Sequence, residues 1–211
     1  MYRYERLQVA DACYEERTPK RQVVLSATGT LEGAEQWVEG CHEPRMLPTF
    51  VIERDGYVRG LYQSSYWSDY PQLGELNSGV ISIALANCGP LKRGKDMRFH
   101  PLGVDANGMP TADMEQPAVR LFYEFCTQRP HRGFAHYELI YPAQLEALGN
   151  LLVRVINKHH IPYQYDPLTG GMTPNLKLGR PGVYLACGGN RMRTDLHPQI
   201  ELINLLKKIS K

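Results

Sequence analysis

The chain has no dense run of lysine or arginine and almost no net charge: 24 basic against 22 acidic residues give +2 over 211 residues. A protein that holds nucleic acid by bulk attraction needs a basic face, so that class is set aside. No apolar run approaches the ~20 residues of a membrane-spanning helix, and no span is expected. Residues Met1–Arg6 lack the apolar core of a secretory signal. Synthesis in the cytoplasm is therefore expected, and action at the cell envelope would require another route or carriage on a particle. The five cysteines (Cys13, Cys41, Cys88, Cys126, Cys187) are odd in number, widely spaced and free of any C-x-x-C. That argues against both a disulfide framework and a paired-cysteine metal knuckle, and the thiols read as buried and free.

What is present suits one folded domain: 43% apolar residues, 22% charged, and a length that can bury a sizeable core. Residues 1–20 are polar, with mixed charge, and read as an arm or an edge element. Gln22–Ala27 is a short apolar run expected as a buried strand. Thr30–Glu39 has helical spacing of Ala34, Trp37 and Val38, with Gly40 as a stop. Thr49–Ile52 and Tyr57–Tyr62 read as strands joined by Glu53-Arg54-Asp55-Gly56, since Asp-Gly between apolar runs is a strong hairpin signal. Gly79–Asn87 mixes small and β-branched residues, as a strand covered on both faces does. Gly94–Gln116 reads as a long polar insert with a hairpin near Asn107-Gly108, and Ala118–Phe134 as a strand or a bent connection.

Pro142–His160 gives the clearest helix. Leu145, Leu148, Leu151, Leu152, Val155 and Ile156 form one stripe, Pro142 suits the first turn, and Lys158, His159 and His160 suit the last. Ile200–Ile209 is a second amphipathic helix. The expected architecture is α/β: a central mixed sheet flanked by helices, as a single domain over residues 21–211 behind the arm at 1–20.

Pro181–Gln199 carries the densest chemistry. An apolar approach (Val183, Tyr184, Leu185) meets a small-residue turn (Cys187, Gly188, Gly189). Two arginines follow, Arg191 and Arg193, then Asp195 and His197. The Asp-x-His pair after such a turn could hold a metal or an anion; it could equally be a turn and cap before the last helix.

Five stretches, in this order, resemble the zinc-dependent N-acetylmuramoyl-L-alanine amidases of the type-2 amidase and peptidoglycan recognition protein family, over residues 21–209. Gln22–Thr28 resembles a first strand that normally reads I-V-I-H-H-T-A. Phe50–Tyr57 (F-V-I-E-R-D-G-Y) resembles the Y-x-I-x-R-D-G hairpin, and Trp67-Ser68 resembles A-W-H-A-G. Asn77–Leu91 resembles N-x-x-S-I-G-I-E-L-x-N-A-G-P-L, and Pro181–Gln199 resembles the closing motif with its zinc ligands. The resemblance implies a zinc ion on two histidines and an Asp or Cys, with an open position for water that attacks the lactyl-alanine amide.

Carried over residue by residue, the resemblance implies that most of this machinery is missing. The first zinc histidine falls in Val24–Ser26, where no register supplies an imidazole and Ser26 is the small residue, and the second at Ala186. The Glu of the I-G-I-E strand falls at Ala84, the Tyr-His pair before the hairpin at Pro48-Thr49, and the cleft histidine at Ser68. A lysine position is held by Arg193, and only Asp195 keeps a ligand type. One carboxylate does not hold zinc, so no metal and no other cofactor is expected. The small residues are expected to leave a hollow in the cleft.

Three readings follow. In the first, an inactive amidase-like domain binds peptidoglycan or muropeptides through Tyr62, Tyr66, Trp67, Arg191 and Arg193, since aromatic faces stack on sugars and arginines pair with stem-peptide carboxylates. In the second, the fold serves as a building block of a phage or contractile injection particle and its partners are particle proteins. In the third, an active zinc amidase has rebuilt its ligands from Cys187, Asp195 and His197, with His42, His136, His159 or His160 joining.

Overall fold

A computed structural model describes residues 3–7, 9–29, 33–70, 73–95, 97, 99–102, 126–127, 130–166, 173–188 and 196–210. In chain order the elements begin with β1 (Tyr4–Arg6), β2 (Gln22–Ala27), α1 (Ala34–Glu39), β3 (Phe50–Ile52), β4 (Val58–Gly60) and β5 (Val80–Leu85). They continue with β6 (Pro90–Arg93), β7 (Phe99–Pro101), β8 (Cys126–Thr127), β9 (His136–Glu138), α2 (Pro142–His159), α3 (Pro174–Lys177), β10 (Gly182–Leu185) and α4 (Ile200–Ile209).

The main sheet has the order β1-β4-β3-β5-β2-β10. Its pairings are parallel except the β3–β4 hairpin, so it is mixed, as expected. Every residue of β2 and β5 is buried, which is why both read as unbroken apolar and small-residue runs. Gly56 closes the β3–β4 turn at φ +81°, and a Cβ there would sit 2.6 Å from the Ala143 carbonyl at the start of α2. Glycine is needed on both counts.

Alternation along the strands divides the sheet into two faces. Val23, Leu25, Ile81, Ile83, Val183 and Leu185 pack against Leu148, Leu151 and Leu152 of α2 and Leu202 and Leu206 of α4. Each fully buried leucine there contributes roughly 2 kcal/mol by removal from water. The other face carries Val24, Val51, Tyr184 and Ala186 and is covered by two smaller clusters, one around Leu47, Leu61 and Tyr62, the other around Leu176. No described helix is long and apolar enough to cross a membrane.

Several elements differ from expectation. The helix expected from Thr30 is described from Ala34 to Glu39, and the strand expected over Tyr57–Tyr62 is three residues, Val58–Gly60. The segment at 1–20 contributes edge strand β1, parallel to β4, and is tied further in by Tyr14 bridging Trp67 and by Thr18 N–H donating to the Ser65 carbonyl. Within the expected loop Gly94–Gln116, Phe99–Pro101 is a strand. It belongs to a second, antiparallel sheet, β7-β6-β9-β8, absent from the sequence reading. The hairpin expected at Asn107-Gly108 lies outside the described residues, as does most of Ala118–Phe134; the described part holds β8 and a tight turn in which His131 and Phe134 exchange backbone bonds.

Two buried polar links join the sheets and helices. Glu138 of β9 is fully buried and receives Arg54 from the β3–β4 turn through Nε at 2.8 Å and Nη2 at 3.1 Å. Gln144 in the first turn of α2 donates to the carbonyls of Ile52 and Ala86 at 3.1 Å each. Ahead of α4, the cap is Gln199, whose side chain bonds Ile140 N–H and the Glu138 carbonyl rather than its own helix.

Candidate functional site

Parallel register brings the key positions together. Ser26 at the end of β2 lies beside Ala84 of β5, and Leu25 lies beside Leu185 of β10, so Ala186 follows at the same level. The positions that the resemblance gives for two zinc histidines and a glutamate thus converge at adjacent strand ends, on the face away from α2 and α4. They hold a hydroxyl and two methyl groups.

In place of an open hollow, the described residues at these positions are shut off from solvent. Ser26 and Ala84 are 0% exposed, Ala186 3% and Ser68 1%, and Tyr70, 6% exposed, sits over Ser26 with the two hydroxyls hydrogen-bonded. The physical reason is volume: small side chains on the strands leave room for a phenol ring, and burying that ring stabilises more than an open hollow would.

Beside this plug runs a chain of hydroxyls. The Thr49 hydroxyl donates to Tyr62 Oη at 3.1 Å, Tyr62 to Ser68 Oγ at 2.8 Å, and Ser68 to the Leu47 carbonyl at 2.8 Å. Ser82 and Thr49 exchange bonds with each other's backbone N–H groups. Burial pushes the Tyr62 phenol pKa up, against the opposing effect of its bonds to Ser68 and Thr49. Such a satisfied neutral network rigidifies the fold and supplies no general base. Pro48, the other half of the expected Tyr-His position, is buried beside it.

These residues do not fit zinc. A hydroxyl and two methyl groups are not its donors, and among the described residues no group of three or more His, Cys, Asp or Glu could hold a metal ion. The rebuilt set fares no better in its described members. Cys187 is 0% exposed, in the core on the helix side, with its thiol aimed at the Leu196 carbonyl 3.8 Å away. His197 is 3% exposed, with its ring 4.7 Å from Tyr137 and 5.3 Å from His131. Asp195, Arg191 and Arg193 lie outside the described residues. Of the histidines that could have joined, His42 is exposed in the loop after α1, His136 packs on Phe99 in the second sheet, and His159 and His160 end α2.

Two residues near Cys187 were not legible in the sequence. Arg132 donates to the Cys187 carbonyl at 2.8 Å, and His131 lies edge-on to His197. Burial first, then the neighbouring His197 and Arg132, pushes the His131 pKa down to about 4. The local sequence sign of a turn there is Gly133, which the structure holds at φ +89°.

The proposed wall residues separate. Tyr62 is 5% exposed and its hydroxyl belongs to the network above; what surface it keeps lines a cavity between β1 and α2. Tyr66 is half-buried on the Leu47–Leu61 cluster. Trp67 is half-buried and stacks on Tyr14 with ring centroids 4.0 Å apart, and its Nε1–H donates to Glu16 at 3.4 Å. Arg45 lies 4.4 Å from the Tyr14 ring, and the Tyr14 hydroxyl donates to Asp69 at 3.0 Å. Next to this stack is an open cavity of about 450 Å3, lined in part by Arg45, Met46, Pro44 and Asp69. Tyr14 and Arg45 escaped the sequence reading because they meet Trp67 only through folding.

No protein-family model matches the chain, and no curated protein sequence matches it. Solved structures do. N-acetylmuramoyl-L-alanine amidase LysC from Clostridium intestinale URNW is 13% identical, with a TM-score of 0.50 over 97% of this chain and 95% of that one. The Staphylococcus aureus hydrolase AmiA, in complex with its ligand, is 8% identical, with a TM-score of 0.52 over 99% of this chain and 83% of that one. At such identities the likeness establishes architecture: this chain has an amidase-like α/β fold, and the described residues at its converged strand ends carry no metal-binding cluster.

Proposed function

We propose that this protein is a catalytically silent amidase-fold domain that binds peptidoglycan fragments on the surface beside its filled site. The observation that carries the first half is the plug: Ser26, Ala84 and Ala186, all buried, meet where the resemblance puts two histidines and a glutamate, and the Tyr70 hydroxyl is bonded to Ser26 there. Without imidazoles there is no polarising metal, and without an open space there is no room for an attacking water. The second half is supported by the Arg45–Tyr14–Trp67 stack, which offers aromatic surface for a sugar ring and a guanidinium for a stem-peptide carboxylate. Arg191 and Arg193, which the sequence reading gave to the same ligand, lie outside the described residues.

The test is co-sedimentation of the purified protein with insoluble peptidoglycan, alongside Trp67→Ala and Arg45→Ala, with zinc content and stem-peptide release measured on the same preparation. Binding weakened by both substitutions, with no release, is the expected result. One zinc per chain with released peptides would refute the silent-enzyme reading. Folded protein that does not sediment would refute peptidoglycan binding and turn the search to protein partners of a phage or injection particle.

A further inference from the structure

On the opposite side of the sheet, between edge strand β1 and the last turns of α2, lies a cavity of about 280 Å3. Tyr4 and Phe50 supply apolar wall, Gln63 and Ser64 polar wall, and Arg6, Arg154 and Lys158 its charge, and no carboxylate lines it. We propose that this cavity is a binding site for a small soluble phosphorylated anion of pyrophosphate size.

Four observations converge on it. First, the charge is one-sided by construction. Arg154 and Lys158 stand four apart on α2, a like-charge pair that costs a few tenths of a kcal/mol in an isolated helix, and no acid stands three or four residues from either. Arg6 faces them across the opening, while Glu5 points to the other side of β1, where it meets Arg59 and Tyr57. Second, the floor is built. The phenol end of Tyr4 lies against Gly60, where any Cβ would come within 2.5 Å of the phenol oxygen, and the Arg154 guanidinium lies 5.8 Å from the centre of that ring. A guanidinium held near an aromatic ring keeps its fork available, and that fork matches two phosphoryl oxygens.

Third, Ser64 is 5% exposed and placed as a polar contact, accepting from Lys158 Nζ at 3.0 Å and bonded to His159 Nε2 at 2.8 Å. Burial first, then Lys158 and Lys20 among its neighbours, pushes the His159 pKa down to about 4, so the lysine charges already act on that imidazole. An unbalanced field of this kind in a concave, partly apolar site attracts an anion. Fourth, the volume falls just under the ~300–1,000 Å3 of drug-sized sites, which favours a small polyanion over a nucleotide. The site stands apart from the Trp67 surface and does not depend on the peptidoglycan reading.

The test is isothermal titration of the full chain with inorganic pyrophosphate at fixed ionic strength. Arg154→Gln, Lys158→Gln and Arg6→Gln are exposed changes that leave the core intact, and Lys207→Gln on α4 is a charge-matched control. Saturable binding that each of the three weakens by ~10-fold or more, and that the control leaves unchanged, supports the site; this loss corresponds to ~1.4 kcal/mol. No saturable binding at millimolar pyrophosphate overturns it, and so does equal weakening by Lys207→Gln. Malonate binding as tightly as pyrophosphate would overturn phosphoryl selectivity. Capture by phosphatidylglycerol vesicles without pyrophosphate binding would overturn the soluble ligand.

Discussion

Removing Arg54 tests how the two sheets are held together. The Glu138 side chain is fully buried and that of Arg54 is 25% exposed; they share two hydrogen bonds, and Glu138 Oε2 also accepts the Cys88 N–H at 2.5 Å. Arg54→Met keeps the apolar stem but strands the carboxylate, with one backbone donor left to it. Breaking a buried pair from one side costs roughly 3–5 kcal/mol, and partial exposure of the arginine places this case near the lower end. For a domain of this size that is a fall of about 6–12 °C in melting temperature. Arg54→Met with Glu138→Leu removes the stranded charge as well and leaves mainly the Cys88 N–H without its acceptor, a loss of about 1–3 kcal/mol. The double variant is therefore expected to be more stable than the single one. Urea unfolding followed by circular dichroism and by the fluorescence of Trp37 and Trp67 gives both values, and coincident curves validate the two-state reading. A loss below ~1 kcal/mol for Arg54→Met, or a double variant as unstable as the sum of its parts, would refute the assignment of a buried, mutually dependent pair.

Two further outcomes are expected. Tyr70→Phe leaves the Ser26 hydroxyl buried beside a ring that cannot bond it and costs about 1–3 kcal/mol, whereas Tyr70→Phe with Ser26→Ala comes close to wild type; equal losses in chemical denaturation would mean that the plug is not a hydrogen-bonded unit. For pH, His131 and His159 have folded pKa values of about 4, below the ~6.5 of an unfolded histidine, so the unfolded chain takes up protons first as pH falls. Stability should be full above ~6.5, decline towards ~4 and flatten below for these groups, and His131→Gln with His159→Gln should make the decline shallower in melting curves recorded across that window.

Much of the fold was legible because its signals are local. The unbroken apolar runs of β2 and β5, the Asp55-Gly56 turn and the leucine stripe of α2 each reside within a single segment of chain. Strands β6, β7 and β9 were not legible, and β1 only as an arm or an edge element. They are three or four residues long, too short to show a period, and are strands only because a partner distant in sequence pairs with them, as Tyr4 pairs with Val58. The insert illustrates the difference: a polar Gly- and Pro-containing stretch reads as loop, and Phe99–Pro101 becomes strand by pairing with Leu91–Arg93.

The candidate site divides in the same way. The resemblance named the positions, and that Ser26, Ala84 and Ala186 stand there is a property of the sequence alone; the parallel register is what sets them side by side. Whether that loss leaves a hollow or a filled core was decided by folding. Tyr70 stands 44 residues from Ser26 and carries no local mark of its role, and only the packing of the 60–70 segment over the strand ends brings the two hydroxyls together. The Arg45–Tyr14–Trp67 stack and the cationic cavity of Arg6, Arg154 and Lys158 are likewise products of tertiary structure. Composition sets how many charges and rings the chain has; close packing of distant segments sets which of them share a surface, and that sharing is what gives a ligand something to bind.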